Sequence, residues 1–461
     1  MLPDDILLNI FDFYRSNPDD YPRPVREWHV LVHVCQRWRH VVFASAQRLK
    51  LQILCTHGTP VRKNLGIWPA FPIVLHLYPS RRLTPNDEDI VLATLEHPNR
   101  VSSVRLYETD LLLEKMIALM LEPFPLLTRL FLISRGGAPV FPVEFLGGSA
   151  PLLQEISLSG IPYPALPTLL LSTGDLITLT LEQIPEDGYI SPEAMCACLA
   201  ALPRLKSFTL EFPWDTPHPD QIRPPPITRS VLPSLIFFHF EGDAEYLEDL
   251  VSQMDSPQLA QIDIVNLHSP VNLQFPQLST FIERSVGPEP PRHAMVSIER
   301  DQICITFYRY VNRPDWFRHS VSTTIYSSFV QVLDLTQVLS QFSATLFTVV
   351  GLELYGEAPD ERLQATVDDE WLEIFRQFPA LQMLLVAQEP AECVARVLND
   401  DVGGMVAEVF PFLDLIHLED EPASSVEAYG LVAARRLSDR PITVVETFQE
   451  FYERLDSYLR K

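Results

Sequence analysis

Glycine is scarce in this 461-residue chain, with 16 present where average usage near 7% gives roughly 32. Neither a Gly-x-Gly-x-x-Gly turn nor a phosphate loop ending in Gly-Lys-Ser/Thr occurs, so nucleotide binding has no support. Lysine is scarcer still, limited to Lys50, Lys63, Lys115, Lys206 and Lys461, and the formal net charge is −25. So acidic a chain lacks the positive surface on which non-specific nucleic-acid affinity rests, and no nucleic-acid partner is expected. The six cysteines (Cys35, Cys55, Cys196, Cys198, Cys304, Cys393) have neither disulfide-framework nor zinc-ribbon spacing. That usage fits free buried thiols in a reducing cytoplasm or nucleus. Apolar runs such as Ala344 to Leu352 fall short of the ~18 to 20 residues of a membrane span. The opening Met1-Leu2-Pro3-Asp4-Asp5 has carboxylates where a leader peptide is basic, so neither a membrane partner nor a leader is expected.

Catalytic patterns are missing as well. Gly147-Gly148-Ser149-Ala150-Pro151 approaches a nucleophile elbow but has proline where the last glycine belongs. His29, His33 and Cys35 put two imidazoles at i, i+4 without a fourth ligand. Cys196-x-Cys198 reads as core packing on a helix, and Cys393 has no nearby histidine to activate it. The expectation is a protein that is not an enzyme, with no catalytic residue, no cofactor and no metal site.

Proline and apolar residues are abundant. There are 41 prolines against roughly 23 at average usage, in a chain that is 47% hydrophobic. Prolines in so apolar a chain sit at ordered positions, and a repeat shows which. Proline, an apolar residue two later, and then Leu-x-x-Leu-x-Leu recur at Pro125-Leu127-Leu130-Leu132, Pro151-Leu153-Ile156-Leu158 and Pro203-Leu205-Phe208-Leu210. Further copies are Pro233-Leu235-Phe238-Phe240, Pro257-Leu259-Ile262-Ile264, Pro379-Leu381-Leu384-Val386 and Pro411-Leu413-Ile416-Leu418. Proline-less copies stand at Leu176-Leu179-Leu181 and Val349-Leu352-Leu354, and a looser one at Pro98-Val101-Val104-Leu106. Helical patterns precede several copies, as in 193–201 and 245–254. One strand and one helix per unit predict an α/β solenoid, a leucine-rich-repeat-like horseshoe with a parallel concave sheet and convex helices.

The N-terminal segment differs. Through Leu65 nine basic residues face six acidic ones, leaving −28 on the remainder. Apolar residues at Ile6, Leu7, Ile10, Phe11 and Tyr14 give one amphipathic helix, and Trp28 to Val42 gives more. "LPDDILLNIFDFY" followed by "LVHVCQRWRHVVFASAQRLKL" resembles an F-box, with Leu2-Pro3 and then Val34-Cys35-x-x-Trp38-Arg39. The chain is most similar to fungal (basidiomycete-type) F-box proteins with diverged leucine-rich repeats. The resemblance implies a three-helix F-box whose Leu2, Pro3, Ile6, Leu7, Ile10, Phe11, Leu31, Val34, Cys35 and Trp38 bind a Skp-family adaptor, and through it a cullin. It further implies the substrate-recognition subunit of an SCF-type ubiquitin ligase; the alternative is a scaffold that binds partners without ubiquitination.

The expected organisation is an F-box at 1–50, a linker with the first repeat strand at 51–75, and arrays at 76–285 and 326–422. A hairpin excursion at 286–325 separates the arrays, and a C-terminal cap occupies 423–461. Residues inside and just after Leu-x-Leu face the concave side, where a protein target would bind. They include Arg105, Tyr107, Phe131, Glu182, Glu211, His239, Glu241, Asp263, Glu353 and Glu419. The face is aromatic at its start and acidic further on, which suits a partner with a basic segment.

Overall fold

The Leu-x-x-Leu-x-Leu signal becomes strands wherever it occurs. The computed structural model describes residues 2–13, 27–77, 84–107, 110–213, 229–267, 275–285, 290–299, 302–308, 320–326, 332–356, 367–388, 390–399, 408–419, 421–427, 429–437 and 440–459. They divide into two units, Met1–Tyr189 and Ile190–Lys461, both built as α/β solenoids.

The first unit begins with three helices, α1 (Asp4–Asp12), α2 (Glu27–Val34) and α3 (Gln36–Ala44). Six parallel strands follow in spatial order: β1 (Ile53–Cys55), β2 (Ile73–His76), β3 (Val101–Leu106), β4 (Arg129–Ile133), β5 (Glu155–Ser159) and β6 (Thr178–Glu182). Parallel neighbours need crossovers, and these carry α4 (Val61–Ile67), α5 (Pro85–Leu95), α6 (Asp110–Leu119), a 3₁₀ turn (Phe145–Gly148) and α7 (Leu166–Leu170). Repeat leucines lie side by side: Leu130, Ile156 and Leu179 form one buried ladder, and Leu132, Leu158 and Leu181 another. The residues between them point to the opposite, open face of the sheet. Sequence also explains where helices start. Thr84 and Asp87 form a reciprocal capping box ahead of α5, with Pro85 in its first turn.

The second unit opens on α8 (Pro192–Ala200), capped by Ser191. Its strands are β7 (Ser207–Glu211), β8 (Ser230–Val231), β9 (Phe237–Gly242), β10 (Met254–Asp255), β11 (Gln261–Leu267), β12 (His293–Ile298), β13 (Gln302–Tyr308), β14 (Ser320–Tyr326), β15 (Gly351–Gly356), β16 (Met383–Val386), β17 (Leu415–Leu418) and β18 (Thr443–Val444). Short β8 and β10 pair separately; within this unit the others run β7-β9-β11-β14-β13-β12-β15-β16-β17-β18. Intervening helices are α9 (Ala244–Ser252), α10 (Pro276–Ser285), α11 (Val332–Gln341), α12 (Ser343–Leu346), α13 (Val367–Arg376), α14 (Pro390–Asn399), α15 (Ala423–Val426), α16 (Gly430–Leu437) and, last, α17 (Phe448–Leu459). Phe238 of β9 meets Phe281 of α10, and Phe240 stacks near Tyr246 of α9, so helices cover the leucine face.

One expectation needs correction. The 286–325 segment is no excursion: β12, β13 and β14 are part of the sheet. After β11 the chain skips two strand positions to β12, then turns back through antiparallel β13 to β14, which pairs parallel with β11. The physical reason is the alternation itself. Ala294, Val296 and Ile298 of β12 and Ile303, Ile305 and Phe307 of β13 are all buried, so the hairpin has an apolar face that only incorporation beside the repeat strands covers. The sheet is therefore parallel except at β13.

The C-terminal segment also does more than follow the last strand. β18 extends the sheet at β17, and the chain then folds α17 back over the open face. Phe451 and Leu455 are fully buried among Met383, Leu385, Ala387, Leu415 and Val445. Gly351 lies directly beneath: a Cβ there would stand 2.9 Å from Leu455 Cδ1 and 3.0 Å from His293. Among the described residues no helix is long and apolar enough to cross a membrane.

Candidate functional site

The N-terminal helices divide the ten residues expected to meet an adaptor. Leu7, Phe11 and Leu31 are buried, where they hold the helices together. Phe11 packs edge-on against half-buried Trp38, with centroids 4.8 Å apart, and Ile10 is half-buried too. Leu2 (52% exposed), Ile6 (44%) and Val34 (55%) remain open to solvent, as do Pro3 and Cys35. The Cys-x-x-Trp spacing has a local cause. Cys35 is the N-cap of α3, and its Sγ accepts the Trp38 backbone N–H at 3.4 Å. Arg37 donates to Asp4 at 2.6 Å and Arg48 to Asp12 at 3.1 Å, tying α1 to the α3 region. Buried Trp28 donates Nε1–H to the Gln52 carbonyl and packs on Trp68 and Phe71. His29 and His33 lie near the Trp68 ring, which is a packing role.

On the open face of the first unit, Tyr107 and Phe131 have ring centroids 4.9 Å apart. Arg105, opposite Phe131 in the β-ladder, reaches Glu155 at 3.5 Å. Glu182 ends β6, half-buried.

The densest cluster of ionisable groups on an open face lies on β7, β9 and β11. In register, Glu211 faces Glu241 and His239 faces Asp263. His239 Nδ1 is 2.9 Å from Asp263 Oδ2, and its Nε2 is 3.3 Å from Glu211 Oε1. Burial disfavours the charged ring, but the carboxylates of Asp263 and then Glu211 outweigh it and lift His239 to about 9. Burial, with help from the Glu211 charge, raises the Glu241 carboxyl. Donor atoms of Glu211, His239 and Glu241 all lie within 4.8 Å of one another. Sequence reasoning put these residues on one face without seeing them as one cluster. The available signal was two neighbouring columns: Glu211 and Glu241 follow the second apolar residue of Leu-x-Leu in successive repeats, and His239 and Asp263 stand between its two apolar residues.

Glu353 and Glu419 behave differently from the expected target contacts. Glu353 is 1% exposed beneath α17. Its Oε2 accepts from Tyr355 at 2.6 Å and from Tyr452 of α17 at 2.8 Å, while His293 Nε2 lies 3.0 Å from Oε1. Burial raises this carboxyl, yet His293 and the two tyrosines overcome that and hold it below its usual value. Glu419 accepts the Gln388 backbone N–H at 2.7 Å and so fastens a neighbouring turn. The open face over β15–β17 is therefore covered by the chain's own aromatic helix. Cys196 and Cys198 are buried, and burial pushes the Cys198 thiol up to about 11.

No family model matches the chain, and no curated protein does. Among solved structures it is similar to the leucine-rich repeat-containing protein LegL7 from Legionella pneumophila, at 12% identity and a TM-score of 0.28, over 83% of this chain and 87% of that one. At that score the likeness carries no weight; the repeat assignment rests on the strand and helix order above.

Proposed function

We propose that the chain is a substrate receptor of an SCF-type ubiquitin ligase. Its N-terminal helices bind a Skp-family adaptor, and the open sheet faces bind a protein target. The observation that carries this reading is the solvent-open Leu2, Ile6 and Val34 on helices already closed around Phe11, Leu7 and Leu31. Exposed apolar side chains beside a finished core mark a surface that associates. Their setting in the Leu-Pro and Cys-x-x-Trp pattern selects the adaptor. The receptor supplies proximity to chemistry carried out by another subunit.

The uncovered acidic residues Glu211, Glu241 and Asp263 belong to the target-binding part, and they suit a basic segment by charge complementarity. The deciding experiment is co-purification with the Skp-family adaptor. Intact protein retains the adaptor, and a Leu2→Ala, Pro3→Ala variant loses it while keeping its thermal unfolding midpoint. Absence of adaptor from intact protein removes the reading.

A further inference from the structure

His239, at an open-face position of β9, is set between carboxylates in a particular way. Asp263 Oδ2 takes Nδ1 at 2.9 Å, which leaves Nε2 as the nitrogen facing Glu211. A carboxylate on one imidazole nitrogen, orienting the other toward a cation, is the outer-shell arrangement of histidine metal ligands. The spacing agrees. Zinc–nitrogen and zinc–oxygen bonds of about 2.0 to 2.2 Å at tetrahedral angles put neighbouring donors about 3.3 to 3.5 Å apart. His239 Nε2 and Glu211 Oε1 are 3.3 Å apart, and Glu211, His239 and Glu241 each offer a donor atom, all within 4.8 Å of one another. The backbone positions are held by the β-ladder, because Glu211 and Glu241 are direct partners across β7 and β9.

We propose that Glu211, His239 and Glu241 bind one divalent transition ion of the zinc class, with Asp263 as the positioning residue for the imidazole. An imidazole with two carboxylates favours zinc over calcium or magnesium, which prefer all-oxygen sites. Three protein donors leave the fourth position to water. The site is independent of adaptor binding and stands or falls separately from it. It also modifies the expectation of no metal, which rested on linear spacing, whereas these ligands come from two different repeats.

The test is calorimetric titration of the full, chelator-treated chain with zinc chloride at neutral pH, with cobalt(II) absorption as a second readout. The expected result is one ion per chain and a weak visible cobalt band of nitrogen/oxygen type without thiolate charge transfer. His239→Ala should abolish uptake at this site, the near-isosteric Glu241→Gln should weaken it at least tenfold, and Asp263→Asn about ten- to a hundredfold. Glu241→Gln and Asp263→Asn keep side-chain volume, so they decide the matter if His239→Ala misfolds. A wild-type chain that takes up no zinc overturns the proposal. So does uptake undiminished in the variants, or a cobalt spectrum dominated by thiolate.

Discussion

His239 couples the open face to pH. Its imidazolium is favoured in the folded chain, with a pKa of about 9 against about 6.5 when unfolded. A raised value means that its stabilisation is complete below about pH 6.5 and gone above about pH 9. The groups facing it are the carboxylates of Glu211, Glu241 and Asp263. Chelator-treated protein should therefore lose at most about 3 kcal/mol between those limits, and His239→Gln should flatten the dependence; urea unfolding at a series of pH values checks both. Glu353 makes a second residue-scale prediction. Replacing it with Ala takes the buried carboxylate from His293 and leaves the Tyr355 and Tyr452 hydroxyls only each other, which should destabilise the second unit by about 3 kcal/mol. Its face was legible from Leu352-x-Leu354, since alternation alone assigns it. Its burial was not, because the covering Tyr452 lies 99 residues away.

Elements differ in how openly the sequence announces them. Repeat strands were legible because Leu130, Ile156 and Leu179 mark one register in three successive copies, and a one-residue slip would turn them all to water. The β12–β13 hairpin was legible as two strands but not as part of the sheet, since its pairing with β15 on one side and, through β14, the link to β11 on the other are long-range. Helix α17 carried a signal that went unused. Phe448, Phe451, Tyr452, Leu455 and Tyr458 follow helical spacing, a stripe too apolar for a cap facing solvent. Phe451→Ala should cost about 3 to 5 kcal/mol, seen as a lower midpoint in denaturant unfolding. At α3 the cap gives a cleaner test: Cys35→Ala should lose about 1 kcal/mol, whereas Cys35→Ser, a better capping residue, should keep or raise stability.

At the scale of the whole molecule, the charge contrast between the N-terminal segment and the rest is partly internal. Arg37 and Arg48 pair with Asp4 and Asp12 of the same segment, and Arg62 reaches Asp89 and Glu96 beyond it, so one charge of the basic excess is neutralised by the rest of the chain. The acidic excess is different, because Glu211, Glu241 and Asp263 gather on an open face around one imidazole. Capture of an arginine-rich peptide by the full, chelator-treated chain should accordingly weaken as salt rises from about 0.1 M to 1 M, where the screening length falls from about 10 Å to 3 Å. Charge reversal at Glu211, Glu241 and Asp263 should abolish that capture, while adaptor binding through Leu2 and Ile6 should be insensitive to both changes.

Helix α17 is translated after every strand that it covers. While a nascent chain is still on the ribosome, Leu385, Leu415 and the Glu353 carboxyl lie on a finished sheet without their lid. A message truncated just before Phe448 would release a chain with β15 to β18 in place and an unsealed apolar face. Such a product presents the surface that chaperones retain and quality-control proteases attack. Helix α17 thus marks a chain translated through Leu459 apart from one interrupted before Phe448.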